Sequence, residues 1–226
     1  MRKLAFGIGF LASVFGFPVS AELRPLYPEG MSCGLITSFF GDLRDLDGSR
    51  RDVAHEGIDL GRIGDRIISP ADGKVTAIWP VDHGWGRDWN LLMTHSADDL
   101  NFSDANLACY TEFDHLQERD LRHLRIGQRV RRGDPIGIVR HPGDAKIFRA
   151  EVHMETYFVP RSALQNLVWR TENGWRYWWN GAATLVNPLE LFHPAGQKGK
   201  VLIPLYEGGA DFVGMMYPLD CLGTRP

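Results

Sequence analysis

Ala150-Glu151-Val152-His153-Met154-Glu155-Thr156 alternates polar and apolar side chains with the period of two that an extended strand imposes. Glu151, His153 and Glu155 then share one face, and Val152 and Met154 share the other. A strand of this kind buries its apolar face and turns three ionisable groups either to solvent or to something that needs charge. Similar short runs precede it at 35–40, 74–79, 90–94 and 135–139. They are rich in β-branched, aromatic and aliphatic residues and are bounded by Gly, Asp or Pro. Asp72-Gly73 and Gly133-Asp134 mark turns between such runs. The reading is a mainly β protein, an antiparallel sheet or sandwich core from about residue 33 to 159. Short helices are expected near 161–167 and 188–192.

The whole chain agrees with that class. It has 226 residues, 44% hydrophobic and 23% charged, with 25 Gly and 13 Pro, which suits a turn-rich globular fold rather than a disordered or coiled-coil one. Its 25 Lys and Arg do not outnumber 28 Asp and Glu, so a strongly basic nucleic-acid binder is excluded.

The first residues read as a targeting segment. Arg2 and Lys3 precede an apolar run from Leu4 to Phe17, and small residues at Ser20 and Ala21 follow. That order is a secretory signal peptide with cleavage after Ala21, and the run is too short for a membrane span. Export to the periplasm or the extracellular space is expected, with no membrane span left after cleavage. Residues 22–226 then form a single domain whose net charge falls from −3 to −5 once Arg2 and Lys3 leave. Three cysteines, Cys33, Cys109 and Cys221, allow one internal disulfide at most. Their spacing shows no metal or redox signature. A buried free thiol is expected for the odd one, with Cys33–Cys221 as one pairing.

Chemistry is concentrated in three short segments. His55 and Asp59 are four apart in His55-Glu56-Gly57-Ile58-Asp59-Leu60, where Gly57 and Gly61 argue for a bent strand over a helix. An imidazole and a carboxylate are half of a zinc ligand set. The second segment is Phe113-Asp114-His115-Leu116, whose histidine ends a strand and suits proton transfer or electrostatic stabilisation. The third is the strand around His153.

Taken in order, His55-x3-Asp59, Phe113-x-His115-Leu116 and His153-Met154-Glu155 resemble the H-x3-D, Y-x-H-L and H-x-H-F-E signatures of lysostaphin-like (LytM-type) zinc metallopeptidases. Ser69-Pro70-Ala71-Asp72-Gly73-Lys74-Val75 resembles that family's Pro-Asp-Gly hairpin. The stretch from Gly127 to Gly137 is similar to its G-x-x-V-x-x-G-x-x-I-G pattern. The resemblance spans about residues 34–192 and implies the family's duplicated-hybrid-motif β fold with an active-site groove. It implies one Zn2+ per chain held by His55, Asp59 and His153, with a fourth position open, and His115 as a catalytic histidine. Glu155 fits second-layer support better than a fourth ligand.

One position departs from the pattern. Glu151 stands where the family has the first His of H-x-H, a catalytic residue that is not a ligand. A carboxylate can act there as general base, by analogy with the non-ligand Glu of H-E-x-x-H peptidases. Glu151→Gln is then expected to lower turnover by about two orders of magnitude.

The resemblance implies hydrolysis of peptide cross-links in bacterial peptidoglycan, with its stem peptides as substrate. The alternative that Glu151 raises is a catalytically impaired domain that regulates a cell-wall amidase or binds the wall. A third reading is a carbohydrate-binding module built on Trp169, Trp175, Tyr177, Trp178 and Trp179. These lie in an aromatic-rich insertion at about 160–186, where packing onto the β core is the plainer expectation. The remaining histidines (83, 95, 123, 141 and 193) read as surface or packing residues. The extension from 193 to 226 carries no chemical motif.

Overall fold

A computed structural model of the chain describes residues 36–45, 47–82, 87–101, 104–139, 150–172, 175–192 and 214–220. It also describes the backbone of short strands at 31–32, 202–203, 206–207 and 222–223. The expected leader, Cys33, Cys221, His83, His141, His193 and most of the expected C-terminal extension lie outside the described residues.

In chain order the strands are β1 (Met31–Ser32), β2 (Ile36–Ser38), β3 (Ile58–Leu60), β4 (Arg66–Ile68), β5 (Gly73–Asp82), β6 (Arg87–Ser96), β7 (Leu107–Leu116) and β8 (Arg129–Val130). They continue as β9 (Pro135–Ile138), β10 (Val152–Pro160), β11 (Val168–Glu172), β12 (Trp175–Trp179), β13 (Thr184–Val186), β14 (Leu202–Ile203), β15 (Tyr206–Glu207) and β16 (Leu222–Gly223). Eight form one antiparallel sheet in the order β2-β3-β10-β7-β6-β5-β8, with β13 also paired to β10. The mainly β, antiparallel reading of the sequence is therefore the observed architecture. The helices are short, α1 (Ala97–Leu100) and α2 (Glu118–Leu121), and no helix among the described residues is long and apolar enough to cross a membrane.

Strand periodicity divides the sheet's side chains between two apolar layers. Leu91 and Met93 on β6, Cys109 and Phe113 on β7, and Val152, Met154 and Phe158 on β10 enter one cluster. Their neighbours of opposite parity, Leu92, Ala108, Tyr110 and Val159, enter a second cluster with Trp79 and Trp178. The first cluster also takes Met215, Tyr217 and Leu219 from the segment 214–220. That segment is fixed by backbone bonds from Ile68 N to Pro218 O (2.9 Å) and from Met216 N to Pro70 O (2.8 Å). It is core in a region where the sequence shows no motif.

The aromatic stretch between β10 and β13 both packs and stays exposed. Residues expected to be helical at 161–167 make only a 3-10 turn, Arg161–Ala163, before the β-forming Val168 and Trp169 open β11. Similarly, the 188–192 expectation becomes a 3-10 turn, Pro188–Glu190, capped by the Asn187 side chain. β11 and β12 pair as a two-stranded hairpin. Trp178 packs edge-on against Tyr110 (5.2 Å) and Tyr157 (4.9 Å), while Trp79 donates from Nε1 to Arg176 O at 2.9 Å. Trp169 and Trp179 remain exposed.

Cys109 is a buried free thiol, and burial pushes its pKa up. At the two ends of the described chain β1 pairs with β16, placing Ser32 opposite Leu222, the sequence neighbours of Cys33 and Cys221.

His95 illustrates the packing role expected of the histidines outside the motifs. It is fully buried at the end of β6, its Nδ1 lies 2.7 Å from Asp72 O, and a Cβ on Gly73 would sit 2.6 Å from that nitrogen. Close approach therefore fixes the glycine of the Asp72-Gly73 turn. Burial lowers the His95 pKa to about 4, against 6.5 for the free side chain. The unfolded chain takes up the proton first, so stability is lost as pH falls from about 6.5 to about 4, by up to roughly 3 kcal/mol. Urea unfolding of wild type and His95→Gln across that range should show their difference in unfolding free energy shifting towards the variant on acidification. A pH-independent difference refutes this assignment.

Candidate metal centre

The site is assembled on the sheet face that carries the second apolar layer. His153 on β10 stands opposite Asp59 on β3 and opposite Asp114 on β7. Two positions along β10, Glu155 stands opposite Glu112. His55 precedes β3 in a loop tied down by Gly41 N to His55 O (2.8 Å) and His55 N to Asp42 O (3.0 Å). Gly57 lets this loop meet β10. A Cβ there would lie 2.8 Å from His153 Cε1 and Nε2 and would collide with Met154 O.

Three donor atoms converge. His55 Nε2 is 3.1 Å from Asp59 Oδ1 and 3.0 Å from His153 Nδ1, and His153 Nδ1 is 2.8 Å from Asp59 Oδ1. Bonds of about 2.0–2.1 Å at a tetrahedral ion place ligand atoms about 3.3 Å apart, so this near-equilateral triangle fits one face of such a site. Among the described residues, His55, Asp59 and His153 form the group whose donor atoms lie within 4.8 Å of one another. The outer nitrogens set the tautomers. His55 Nδ1 donates to Phe39 O at 3.0 Å, and His153 Nε2 donates to Glu155 Oε1 at 3.0 Å. Glu155 also accepts a short hydrogen bond from the Tyr157 hydroxyl.

Charge points the same way. Burial alone would raise the Asp59 pKa, but hydrogen bonds from His153 and His55 hold it well below the usual carboxylate range. Burial alone would lower the His153 pKa, and Asp59 and Glu155 instead raise it well above the usual value. Positive charge is thus favoured at His153 between the carboxylates, where a divalent cation fits. Burial, reinforced by Glu155, raises Glu112 to about 7, even though it accepts from Trp178 Nε1 (2.5 Å) and Asn90 Nδ2 (3.0 Å). Asp114 is raised by burial and by Glu112, and its Oδ1 is buried without a hydrogen-bond partner. Carboxylates facing one another across strands repel, and a bound cation offsets that repulsion. Donor geometry, tautomers and local charge all fit a divalent metal.

These groups line a cavity of about 570 Å³. His55, Asp59, His153 and His115 all reach it, and Arg176, Tyr177 and Trp178 of β12 form part of its wall. His115 is 6.5 Å from His153 between ring centroids. Glu151 is placed differently. It lies just before β10, is 5% exposed, does not line the cavity and accepts from Thr37 Oγ1 at 3.2 Å. The sequence singles out neither Asp88 nor Glu112, and it offers Trp178 only as one of an aromatic cluster. Extending the period-two count along β7 would have found Glu112 and Asp114, whereas Asp88 carries no sequence signal.

No family model matches the chain, and no curated protein does. Among solved structures it is similar to a zinc containing peptidase from Vibrio cholerae, with 25% identity over 60% of this chain and a TM-score of 0.40. The similarity covers only 36% of that peptidase, about a third of its length. It is also similar to LytU, with 27% identity over 54% of this chain and 71% of LytU, at a TM-score of 0.36.

Metal analysis of the purified chain should find one divalent ion per molecule, and His55→Ala or His153→Ala should abolish it. Gly57→Ala keeps every candidate ligand residue but drives a methyl group into the Met154 carbonyl and the His153 ring. Its metal affinity should fall at least about tenfold, the scale of losses in supporting residues around metal ligands. Equal affinity of Gly57→Ala and wild type by competition with a chelating dye would refute the placement of His153.

Proposed function

We propose that the chain is an exported zinc-dependent endopeptidase that cleaves peptide cross-links of bacterial peptidoglycan. The observation that carries the reading is the convergence of His55 Nε2, Asp59 Oδ1 and His153 Nδ1 at the wall of a cavity of about 570 Å³, with His115 on the same cavity. The substrate and the destination rest on the sequence, namely the leader-like first 21 residues and the ordered motifs shared with lysostaphin-like peptidases. The same motifs favour zinc, and a two-histidine, one-carboxylate set suits it.

The chemistry such an ion supplies is Lewis-acid polarisation of a carbonyl and acidification of water. The protein's own residues do the rest. Phe39 O and Glu155 fix the two ligand imidazoles, and Tyr157 fixes Glu155. The hairpin wall excludes water from one side, which strengthens every charge interaction inside. His115 is the catalytic residue through which a proton reaches the leaving amine.

The position of Glu151 changes the expected effect of its substitution. Held against Thr37 and off the cavity wall, it acts in support of β2 and β10 rather than as the base. Glu151→Gln keeps an acceptor for Thr37 and should retain zinc and turnover within about tenfold, less than a general base would cost. A loss of about a hundredfold would return Glu151 to the mechanism.

That same placement favours one second reading, a metal-retaining domain without turnover that regulates a cell-wall amidase or binds the wall. Incubation with purified sacculi separates the two. The endopeptidase reading requires release of cross-linked muropeptides that stops on chelation, returns with zinc and is absent in His153→Ala. Zinc-loaded protein that leaves sacculi intact across pH and salt overturns it in favour of the regulator.

A further inference from the structure

Asp88 is 1% exposed near the start of β6, among the most deeply buried carboxylates described. An ion so placed needs a strong partner, because desolvation costs several kcal/mol in effective terms. One lies 2.7 Å from its Oδ2, the Nδ1 of His115, a distance typical of charge-assisted hydrogen bonds. The backbone is shaped for this contact. His115 has φ 64, one of two non-glycine residues with positive φ among those described. Opposite it, the β6–β7 register shifts between Trp89 and Leu91. Strand alternation would send Asp114 and His115 to opposite faces, yet both line the cavity. The left-handed residue and the bulge bring His115 round to Asp88.

We propose that Asp88 is the positioning residue for His115 and that the pair performs the proton transfers of the reaction. The inference rests on the peptidase reading above. Asp88 holds the ring with its proton on Nδ1, so Nε2 is the nitrogen that acts on substrate. As water adds to the scissile carbonyl and the C–O bond forms, its proton passes to Nε2. The resulting imidazolium is stabilised by the ionised Asp88. When the C–N bond breaks, the same proton passes from Nε2 to the departing nitrogen, and His115 returns to its starting state. No proton or electron pair is left over. This arrangement also fills the vacancy left by Glu151, since one histidine serves as base and then as acid.

The test combines a spectroscopic and a kinetic readout on the full chain loaded with zinc. Long-range 1H–15N correlation of the His115 ring should show the proton on Nδ1 in wild type. In Asp88→Asn that preference should be lost, while zinc content and the fold, followed by melting temperature, stay as in wild type. With a soluble cross-linked muropeptide, kcat of Asp88→Asn should fall by about a hundredfold or more with KM changed less than about threefold, and Asp88→Glu should recover part of kcat. A wild-type His115 protonated on Nε2 alone, or an Asp88→Asn kcat within about threefold of wild type, overturns the proposal. The tautomer measurement needs no turnover. A wild type that shows the Nδ1 proton but cleaves no muropeptide supports the placement of His115 and overturns the peptidase reading instead.

Discussion

One row of the sheet governs everything else, the line in which Asp59 on β3, His153 on β10 and Asp114 on β7 stand side by side. The approach of Asp59 to His153 and the charge lining the cavity both follow from that register. A slip of one residue in β10 would exchange His153 for Met154 or Val152, because strand side chains alternate between faces. The register is held from the opposite face, where Ile58, Leu60, Phe113, Val152 and Met154 are all fully buried in one cluster. Fully burying side chains of this size is worth about 1.5–3 kcal/mol each, more than the roughly 0.2–1 kcal/mol that a cross-strand pair contributes. The apolar layer therefore dictates where the ligands stand, and the ligands need only be the right residues.

The same row would be an electrostatic defect without a cation. Glu155 faces Glu112, Asp114 faces His153, and the carboxyl groups of Glu112 and Asp114 are both pushed towards the protonated form by burial. Hydrogen bonds from Asn90 and Trp178 relieve Glu112, and Tyr157 relieves Glu155, but Asp114 Oδ1 keeps no partner. A divalent ion at the triangle is the most economical compensation within reach, because its charge acts on all of these groups at once in a medium of low polarity. The carboxylates behind the ligands are thus part of what makes the position attractive to a cation.

Much of this was legible in the chain. The period-two alternation at 150–156 placed His153 and Glu155 on one face correctly, and His55 and Asp59 needed only the bend that Gly57 permits. Glu151 had the same parity but lies before β10 begins, so alternation no longer governs where it points. His115 could be named from its motif, whereas Asp88 could not. Its contact with His115 comes from a left-handed residue and a register shift between β6 and β7, and neither leaves a mark in composition. Local propensity also failed at 161–167, where only the 3-10 turn Arg161–Ala163 forms before the tryptophan hairpin begins at Val168. The core role of Met215, Tyr217 and Leu219 was invisible because contacts made by distant segments have no periodicity to read.

The hairpin links the fold to the chemistry. Trp178 lines the cavity and donates to Glu112, while Trp79 Nε1 donates to the backbone carbonyl of Arg176 nearby. Removing water from that side raises the pKa of Glu112 towards neutrality and strengthens the field at the ligand row. It also leaves Trp169 and Trp179 exposed, each with an arginine stacked on it, Arg176 at 4.5 Å and Arg170 at 4.3 Å. A hairpin that merely covered apolar surface would not reach the buried carboxylates with an indole N–H. Because this one does, the chain between β10 and β13 sets the polarity of the cavity as well as its shape.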